Sequence, residues 1–115
     1  MEDRIVVMQL DTVEKRYVCY TALFIPAEER PNAYCVLFPD LPGCITQGES
    51  FEDAFRMAVE VLYCHLTGMR EDGDTLPEPT SLTEILRTGK IKEIHDLPLP
   101  PRTMYQLIPV LKKVV

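Results

Sequence analysis

Residues 38–70, FPDLPGCITQGESFEDAFRMAVEVLYCHLTGMR, form the stretch that decides the fold, because a turn, a strand and a helix follow one another here. Pro39 and Pro42 restrict φ at the start of the stretch, and Gly43 tolerates a positive φ. These three residues together predict a tight turn. The apolar and β-branched residues that follow predict a short strand over 44–47.

The second half of this stretch predicts a long amphipathic helix. Gly48 is predicted to break the strand, and Ser50 stands at an N-cap position. Apolar side chains then recur at the spacing of one helical face, at 51, 54, 55, 58, 62, 66 and 69. The helix is expected to end at Gly68 or in the acidic run at 71–74. Its span of about 20 residues is roughly 30 Å, which is enough to cross a sheet.

Two segments rich in β-branched and aromatic residues, 17–26 and 33–38, precede the turn and are joined by a charged loop. They predict an antiparallel hairpin. A closing strand is predicted within about 103–111, with Pro109 at an edge position or a bulge. Residues 5–10 are a further candidate strand. The predicted fold class is α+β, with a three- or four-stranded, mainly antiparallel sheet backed by one long helix.

The chain has 115 residues, which is the size of a single domain. We expect this domain to span 1–115, with a core over about 17–80 plus the closing strand and no C-terminal DNA-binding domain. Apolar residues make up 46% and charged residues 26% of the chain, which excludes a disordered or collagen-like protein. The sequence shows neither a signal-peptide layout nor an apolar stretch that could span a membrane. We therefore expect a cytoplasmic protein without membrane association.

The charge balance limits the kinds of partner that the chain can bind. Twelve Lys and Arg residues against eighteen Asp and Glu residues give a net charge of −6. This sign disfavours direct binding to the phosphate backbone of a nucleic acid. It suits a basic protein partner, although an acidic surface also serves solubility alone.

No arrangement in the sequence is typical of an enzyme. We find no nucleophile with a base, no carboxylate cluster for a metal and no phosphate-binding glycine loop. The cysteines at positions 19, 35, 44 and 64 match neither a zinc site nor a redox motif, so free thiols are expected. The acidic run at 71–74 lacks the spacing of an EF-hand loop. We expect no catalytic residue, no metal and no cofactor.

Several motifs between Tyr20 and Pro79 occur in the order found in one known family. They are Tyr20, Ala22 and Phe24; the turn 38–44; Thr46 and Gly48; Ala54, Ala58, Leu62, His65 and Leu66; Asp72-Gly73; and 76–79. On these motifs the chain resembles the HicB family, the antitoxins of bacterial and archaeal type II toxin–antitoxin pairs. The turn sequence FPDLPGC is the most specific of them, and roughly half of the chain is covered.

The resemblance implies a partial RNase H-like fold without nuclease activity. It also implies a partner, a small basic HicA-type toxin that cleaves mRNA and whose active surface the antitoxin blocks. The turn beside the helix start is a candidate surface for that contact, so we name Asp40, Leu41 and Gly43 as candidate partner-binding residues. The alternative is that Pro42 and Gly43 only shape a tight connection.

A second functional hypothesis is an orphan HicB-like domain without a toxin, acting as an oligomeric scaffold or a small-ligand sensor. Many members of the family carry a C-terminal DNA-binding module that represses their own operon, and we expect no such module here. A homodimer or tetramer is also expected. An edge strand and the apolar residues Val114 and Val115 would otherwise be exposed.

Overall fold

The computed structural model describes residues 16–88 and 99–115. In this part of the chain the strands are β1 (Tyr17–Pro26), β2 (Tyr34–Leu37), β3 (Ile45–Gly48) and β4 (Met104–Leu111). The helices are α1 (Phe51–Glu71), α2 (Leu82–Thr88) and a 3₁₀ turn at Lys112–Val114. The strands form one antiparallel sheet in the order β3-β2-β1-β4, and α1 packs against it. The predicted α+β class is confirmed, with four strands in the described residues.

The hairpin of β1 and β2 forms the centre of the sheet. Ile25 faces Cys35 across the pair, and Pro26 faces Tyr34. The other side of β1 pairs with β4 over eight residue positions, so every residue of β1 has a partner strand on at least one side. Cys19 lies opposite Pro109 on β4, whereas Cys35 faces Ile25 near the other end of β1, so the two cysteines are well apart.

Helix α1 begins and ends at residues that satisfy its free backbone groups. The Ser50 hydroxyl accepts a hydrogen bond of 3.0 Å from the backbone N–H of Asp53, as expected of an N-cap. The helix continues through Gly68 and ends at Glu71, and Gly73 follows with a φ of +79°. Of the two predicted ends, the acidic run is therefore the correct one.

The apolar stripe of α1 faces the sheet as predicted. Its fully buried members are Ala54, Ala58, Leu62 and Leu66. They pack on the side chains that β1, β2 and β4 direct toward the helix, including Tyr20, Phe24, Val36 and Ile108. The rings of Phe24, Tyr34, Phe51 and Phe55 contact one another at the start of the helix, with centroids 5.3–6.4 Å apart. Burial of this stripe is what holds α1 against the sheet.

The sequence predicts a strand over 44–47 that Gly48 breaks, and in the structure β3 ends with Gly48 as its last residue, opposite Tyr34. A Cβ atom at this position would lie 2.2 Å from the backbone nitrogen of Ala54. Glycine is therefore required because the first turn of α1 passes directly against the end of β3.

The face of the sheet turned away from α1 is also partly apolar. Leu23, Ile25 and Leu37 are buried there. Ile45 and Leu107, on the two edge strands, expose 53% and 59% of their surface. None of the helices in residues 16–88 and 99–115 has the length and hydrophobicity of a membrane span. The candidate strand at 5–10 lies outside the described residues.

Candidate partner-binding site

The turn between β2 and β3 is built from three backbone hydrogen bonds. The N–H of Leu41 donates to the backbone oxygen of Phe38 at 3.0 Å, and the N–H of Cys44 donates to the backbone oxygen of Leu41 at 2.9 Å. The N–H of Phe38 donates to the backbone oxygen of Cys44 at 3.3 Å. Gly43 has a φ of +88°, a value that side-chain-bearing residues rarely adopt. The prediction of a tight turn with a positive φ at Gly43 is therefore confirmed.

Asp40 points into the protein, where its carboxylate holds a distant segment. Its Oδ2 accepts a hydrogen bond of 2.7 Å from the backbone N–H of Thr80, and its Oδ1 accepts one of 2.7 Å from the Thr80 hydroxyl. Only 7% of Asp40 and 1% of Leu41 is exposed. The structure thus brings these two predicted site residues together in the interior, while Gly43 lies on the surface.

The segment 76–80, which we call the strap, is fixed to the sheet at a second point. The hydroxyl of Tyr20 donates a hydrogen bond of 2.6 Å to the backbone oxygen of Pro77. Burial, followed by the charges of Asp40 and Glu78, raises the pKa of Tyr20 above its ordinary value. A neutral, donating hydroxyl is therefore maintained at this position. Together, Tyr20 and Asp40 hold the strap beside the turn.

The exposed part of the turn continues into an exposed strand edge. Pro42 and Gly43 are exposed, and Ile45, the first residue of β3, is the large apolar side chain next to them. In the sheet formed by the described residues β3 lies at one edge, with β2 on its inner side. The sequence analysis did not identify Ile45. The sequence does show an isoleucine beside a turn in a short strand. It does not show that this strand lies at an edge, because edge position depends on the order of the strands in the sheet.

Acidic side chains flank this edge where β3 leads into α1. Asp53 Oδ2 accepts a hydrogen bond of 3.0 Å from the backbone N–H of Glu49, while the backbone N–H of Asp53 donates to the Ser50 hydroxyl. The two hydrogen bonds together resemble a capping box. The hydrogen bond from Glu49, together with the guanidinium of Arg56, lowers the pKa of Asp53. Glu49 and Glu52 are exposed beside it. Arg30 forms an ion pair with Glu49 and Arg56 forms one with Asp53, each at 2.5 Å, so the excess negative charge at this end of the strand comes from Glu52.

The described residues were also compared with the requirements of a metal site and of a reactive thiol. No group of three or more His, Cys, Asp or Glu in residues 16–88 and 99–115 is placed to hold a metal ion. The four cysteines are free, as predicted. Burial raises the pKa of the Cys44 thiol to about 12, which keeps it protonated and unreactive at neutral pH.

Comparison with known proteins places the chain in a family. The family described as the HicB_like antitoxin of bacterial toxin-antitoxin systems matches residues 20–95, which is well over half of the chain. Antitoxin HicB 1 of Photorhabdus laumondii is 37% identical over 60 residues, covering 52% of this chain and 37% of the relative. An uncharacterized 14.9 kDa protein of Haemophilus phage HP1 is 30% identical over 66 residues, covering 57% of this chain. The chain thus spans half or less of the lengths of these two relatives.

Solved structures share the fold at low identity. A toxin–antitoxin complex from Streptococcus pneumoniae superimposes with a TM-score of 0.64 at 24% identity, covering 82% of this chain and 69% of that one. The N-terminal domain of Burkholderia pseudomallei antitoxin HicB gives 0.62 at 18% identity, covering 81% of this chain and 98% of that domain. A HicA3 and HicB3 toxin–antitoxin complex gives a TM-score of 0.57 at 21% identity, covering 79% of this chain and 95% of that one. The match over residues 20–95 and this shared fold show that the chain belongs to the HicB-like antitoxin family of bacterial toxin-antitoxin systems.

Proposed function

We propose that this chain is a non-enzymatic antitoxin that binds a small basic HicA-type toxin in the cytoplasm and blocks the surface with which the toxin cleaves mRNA. The observation that carries the proposal is the family match over 20–95, because this range contains the turn, the long helix and the strap. Two of the structural neighbours are toxin–antitoxin complexes, which is consistent with a toxin as the partner.

The edge of β3 is the surface that best fits such a partner. An edge strand presents backbone N–H and C=O groups with which a strand of another protein can pair. Ile45 adds exposed apolar area at one end of that edge. Glu52 adds an exposed negative charge at the other end, beside the ion pair of Glu49 with Arg30, and negative charge speeds encounter with a basic protein. The net charge of −6 acts in the same direction.

The three predicted site residues have different roles in this proposal. Gly43 lies on the surface beside Ile45 and contacts the toxin directly. Asp40 and Leu41 are buried, so they act by holding the turn and the strap in the shape that the toxin meets. Removing Asp40 is therefore expected to weaken toxin binding through the shape of the site.

Coexpression with the HicA-type toxin of the same host tests the proposal. We expect growth arrest by the toxin alone, recovery when this chain is present, and a stable complex of the two purified proteins that no longer cleaves mRNA. Ile45→Glu should weaken the complex at least about tenfold, since it places a charge in the apolar contact. Leu107→Glu is the matched control, because Leu107 is equally exposed but lies on the opposite edge strand.

Absence of binding to the toxin by the folded wild-type chain would refute the antitoxin proposal. The alternative, an oligomeric scaffold or a small-ligand sensor, would then gain support from an increase in melting temperature with a small molecule and no protein partner. Equal loss of binding in Ile45→Glu and Leu107→Glu would leave the antitoxin function standing but would reject the β3 edge as its site.

A further inference from the structure

The outer side of β3 carries a short row of backbone groups that point away from the sheet. In an antiparallel pair, residues that hydrogen-bond across the pair alternate with residues that do not. The N–H of Phe38 donates a hydrogen bond of 3.3 Å to the oxygen of Cys44, so every second residue of β3 from Cys44 onward bonds to β2. The N–H and C=O groups of Ile45 and Gln47 therefore point outward, and in the described sheet no strand lies beyond them.

Both ends of this row are closed by the chain itself. The N–H of Glu49, the next group that would point outward, donates a hydrogen bond of 3.0 Å to Asp53 Oδ2. On the other side the backbone leaves the strand geometry at Gly43, whose φ is +88°. The row between them fits an extended partner segment of about three residues, which is shorter than an average strand.

One side of helix α1 runs above this edge. A Cβ atom on Gly48 would lie 2.2 Å from the backbone nitrogen of Ala54, and the Cys44 thiol lies 3.9 Å from the backbone oxygen of Val61. The helix therefore passes along β3 in the opposite direction. Met57 is three residues after Ala54 and four before Val61, so it lies on the same side of the helix, above the middle of β3.

Met57 is an apolar residue that the core does not use. It is half-buried, and among the described residues the apolar side chains packed against the core include Val61 but not Met57. Thr46 pairs with the core residue Val36, so its side chain points to the same face of the sheet as α1. Met57, Val61 and Thr46 thus border the helix side of the edge, and a methionine can adapt its shape to an incoming side chain.

We propose that the toxin contributes an extended segment of about three residues that pairs with Ile45 and Gln47 and adds a strand to the sheet beside β3. This inference rests on the proposed antitoxin function and specifies how the toxin is held. Side chains alternate across a sheet, so the central residue of the segment lies on the helix side, where an apolar residue contacts Met57 and Val61. The net charge of −6 attracts a basic protein, and the backbone row selects the extended segment that is bound.

Amide hydrogen exchange tests the pairing, measured by NMR on the labelled chain with and without the HicA-type toxin of the same host. The N–H groups of Ile45 and Gln47 are expected to exchange quickly in the free chain and at least about tenfold more slowly in the complex. Those of Thr46 and Gly48, which face β2, are expected to be protected in both states and serve as the internal reference.

The outcomes separate this inference from the antitoxin proposal. A stable complex in which Ile45 and Gln47 still exchange quickly would overturn the pairing and leave the antitoxin function standing. Absence of a complex would overturn both. Protection of the two N–H groups in the free chain would show that the chain itself covers this edge, which would also overturn the pairing.

Two variants of Gln47 separate its backbone from its side chain. Gln47→Pro removes an N–H that makes no bond to β2, and it is expected to weaken toxin binding at least about tenfold. Gln47→Ala keeps the N–H and should bind within about twofold of the wild type, because the backbone makes the contact. Circular dichroism and melting temperature check that both variants fold. Equal binding by two folded variants would reject the backbone pairing.

Variants of Met57 test the helix side of the contact without changing the backbone. Met57→Lys places a charge beside the apolar central residue and is expected to weaken binding about tenfold, whereas Met57→Leu should bind like the wild type. Tyr63→Lys is the matched control, because Tyr63 is exposed on the other side of α1, beside Pro109 of β4. Equal loss of binding in Met57→Lys and Tyr63→Lys would reject the position of the segment beside Met57.

Discussion

Asp40 and Thr80 are forty residues apart in sequence and are joined by two hydrogen bonds of 2.7 Å. One carboxylate thereby connects the turn between β2 and β3 to the strap that follows α1. Hydrogen bonds to a charged acceptor are roughly twice as strong as neutral ones, and this carboxylate is shielded from water. The relative positions of the turn and the strap depend on this pair.

Removing the carboxylate is expected to loosen both segments. Asp40→Ala should lower the free energy of unfolding by about 2–4 kcal/mol, because the Thr80 groups lose charged partners inside the protein. Thr80→Val should cost less, since the backbone N–H still donates to Asp40. Urea unfolding of the two single variants and the double variant gives the coupling between them. The matched control is Asp74→Ala at an exposed site, and a cost equal to that of Asp40→Ala would contradict the assignment.

Two glycines of the same segment are expected to respond to alanine with opposite signs. Gly48→Ala places a Cβ 2.2 Å from the backbone of Ala54, so either β3 or α1 must shift, at a cost of about 2–3 kcal/mol. Gly68→Ala meets no described atom within 4 Å and lies inside α1, where alanine should stabilise by about 0.5–1 kcal/mol. Melting temperatures of the two variants test this contrast, and destabilisation by both would show that Gly68 has a packing role.

The elements that the sequence predicted correctly are those set by local patterns. The hairpin, the turn with Gly43, the Ser50 cap and the buried stripe of α1 each follow from residues within a few positions of one another. Gly48 shows the limit, because the sequence predicts only that the strand ends there, and the close approach of the Ala54 backbone is visible in the structure alone.

The candidate site depended more strongly on tertiary structure. Asp40 in a turn predicts a bond to a nearby amide, whereas its partner Thr80 is brought to it by the whole length of α1. The exposed position of Ile45 follows from the sheet order, which makes β3 an edge strand in the described sheet. No periodicity in one sequence carries that information.

The reciprocal cap at the start of α1 is expected to contribute measurably to stability. Ser50→Ala removes the acceptor for the Asp53 N–H and should lower the free energy of unfolding by about 1 kcal/mol. At the start of the short helix α2, the Ser81 hydroxyl accepts a hydrogen bond of 3.2 Å from the backbone N–H of Glu84, so Ser81→Ala serves as a comparison. Denaturant unfolding should show the smaller effect for Ser81, because the helix that it caps packs less of the core. A negligible effect of Ser50→Ala would mean that packing, and not the cap, fixes the start of α1.

The buried thiol of Cys44 is expected to make the protein sensitive to alkali. Burial raises its pKa from 9.0 to about 12 in the folded chain, so between these values the unfolded chain holds fewer protons than the folded one. Stability from this group is therefore complete below pH 9.0 and is lost as the pH rises toward 12. Tyr20, whose pKa is also raised, contributes in the same direction.

Thermal unfolding across this pH range tests the assignment with a pair of cysteine variants. Cys44→Ala is less stable at neutral pH because it leaves a small cavity, but its stability should fall less steeply above pH 9 than that of the wild type. Cys64→Ala, which removes an exposed thiol, should follow the wild-type profile. Thiol reagents at neutral pH should accordingly label Cys64 quickly and Cys44 only after unfolding. Rapid labelling of Cys44 in the folded chain would show that its environment opens more readily than the packing between β3 and α1 indicates.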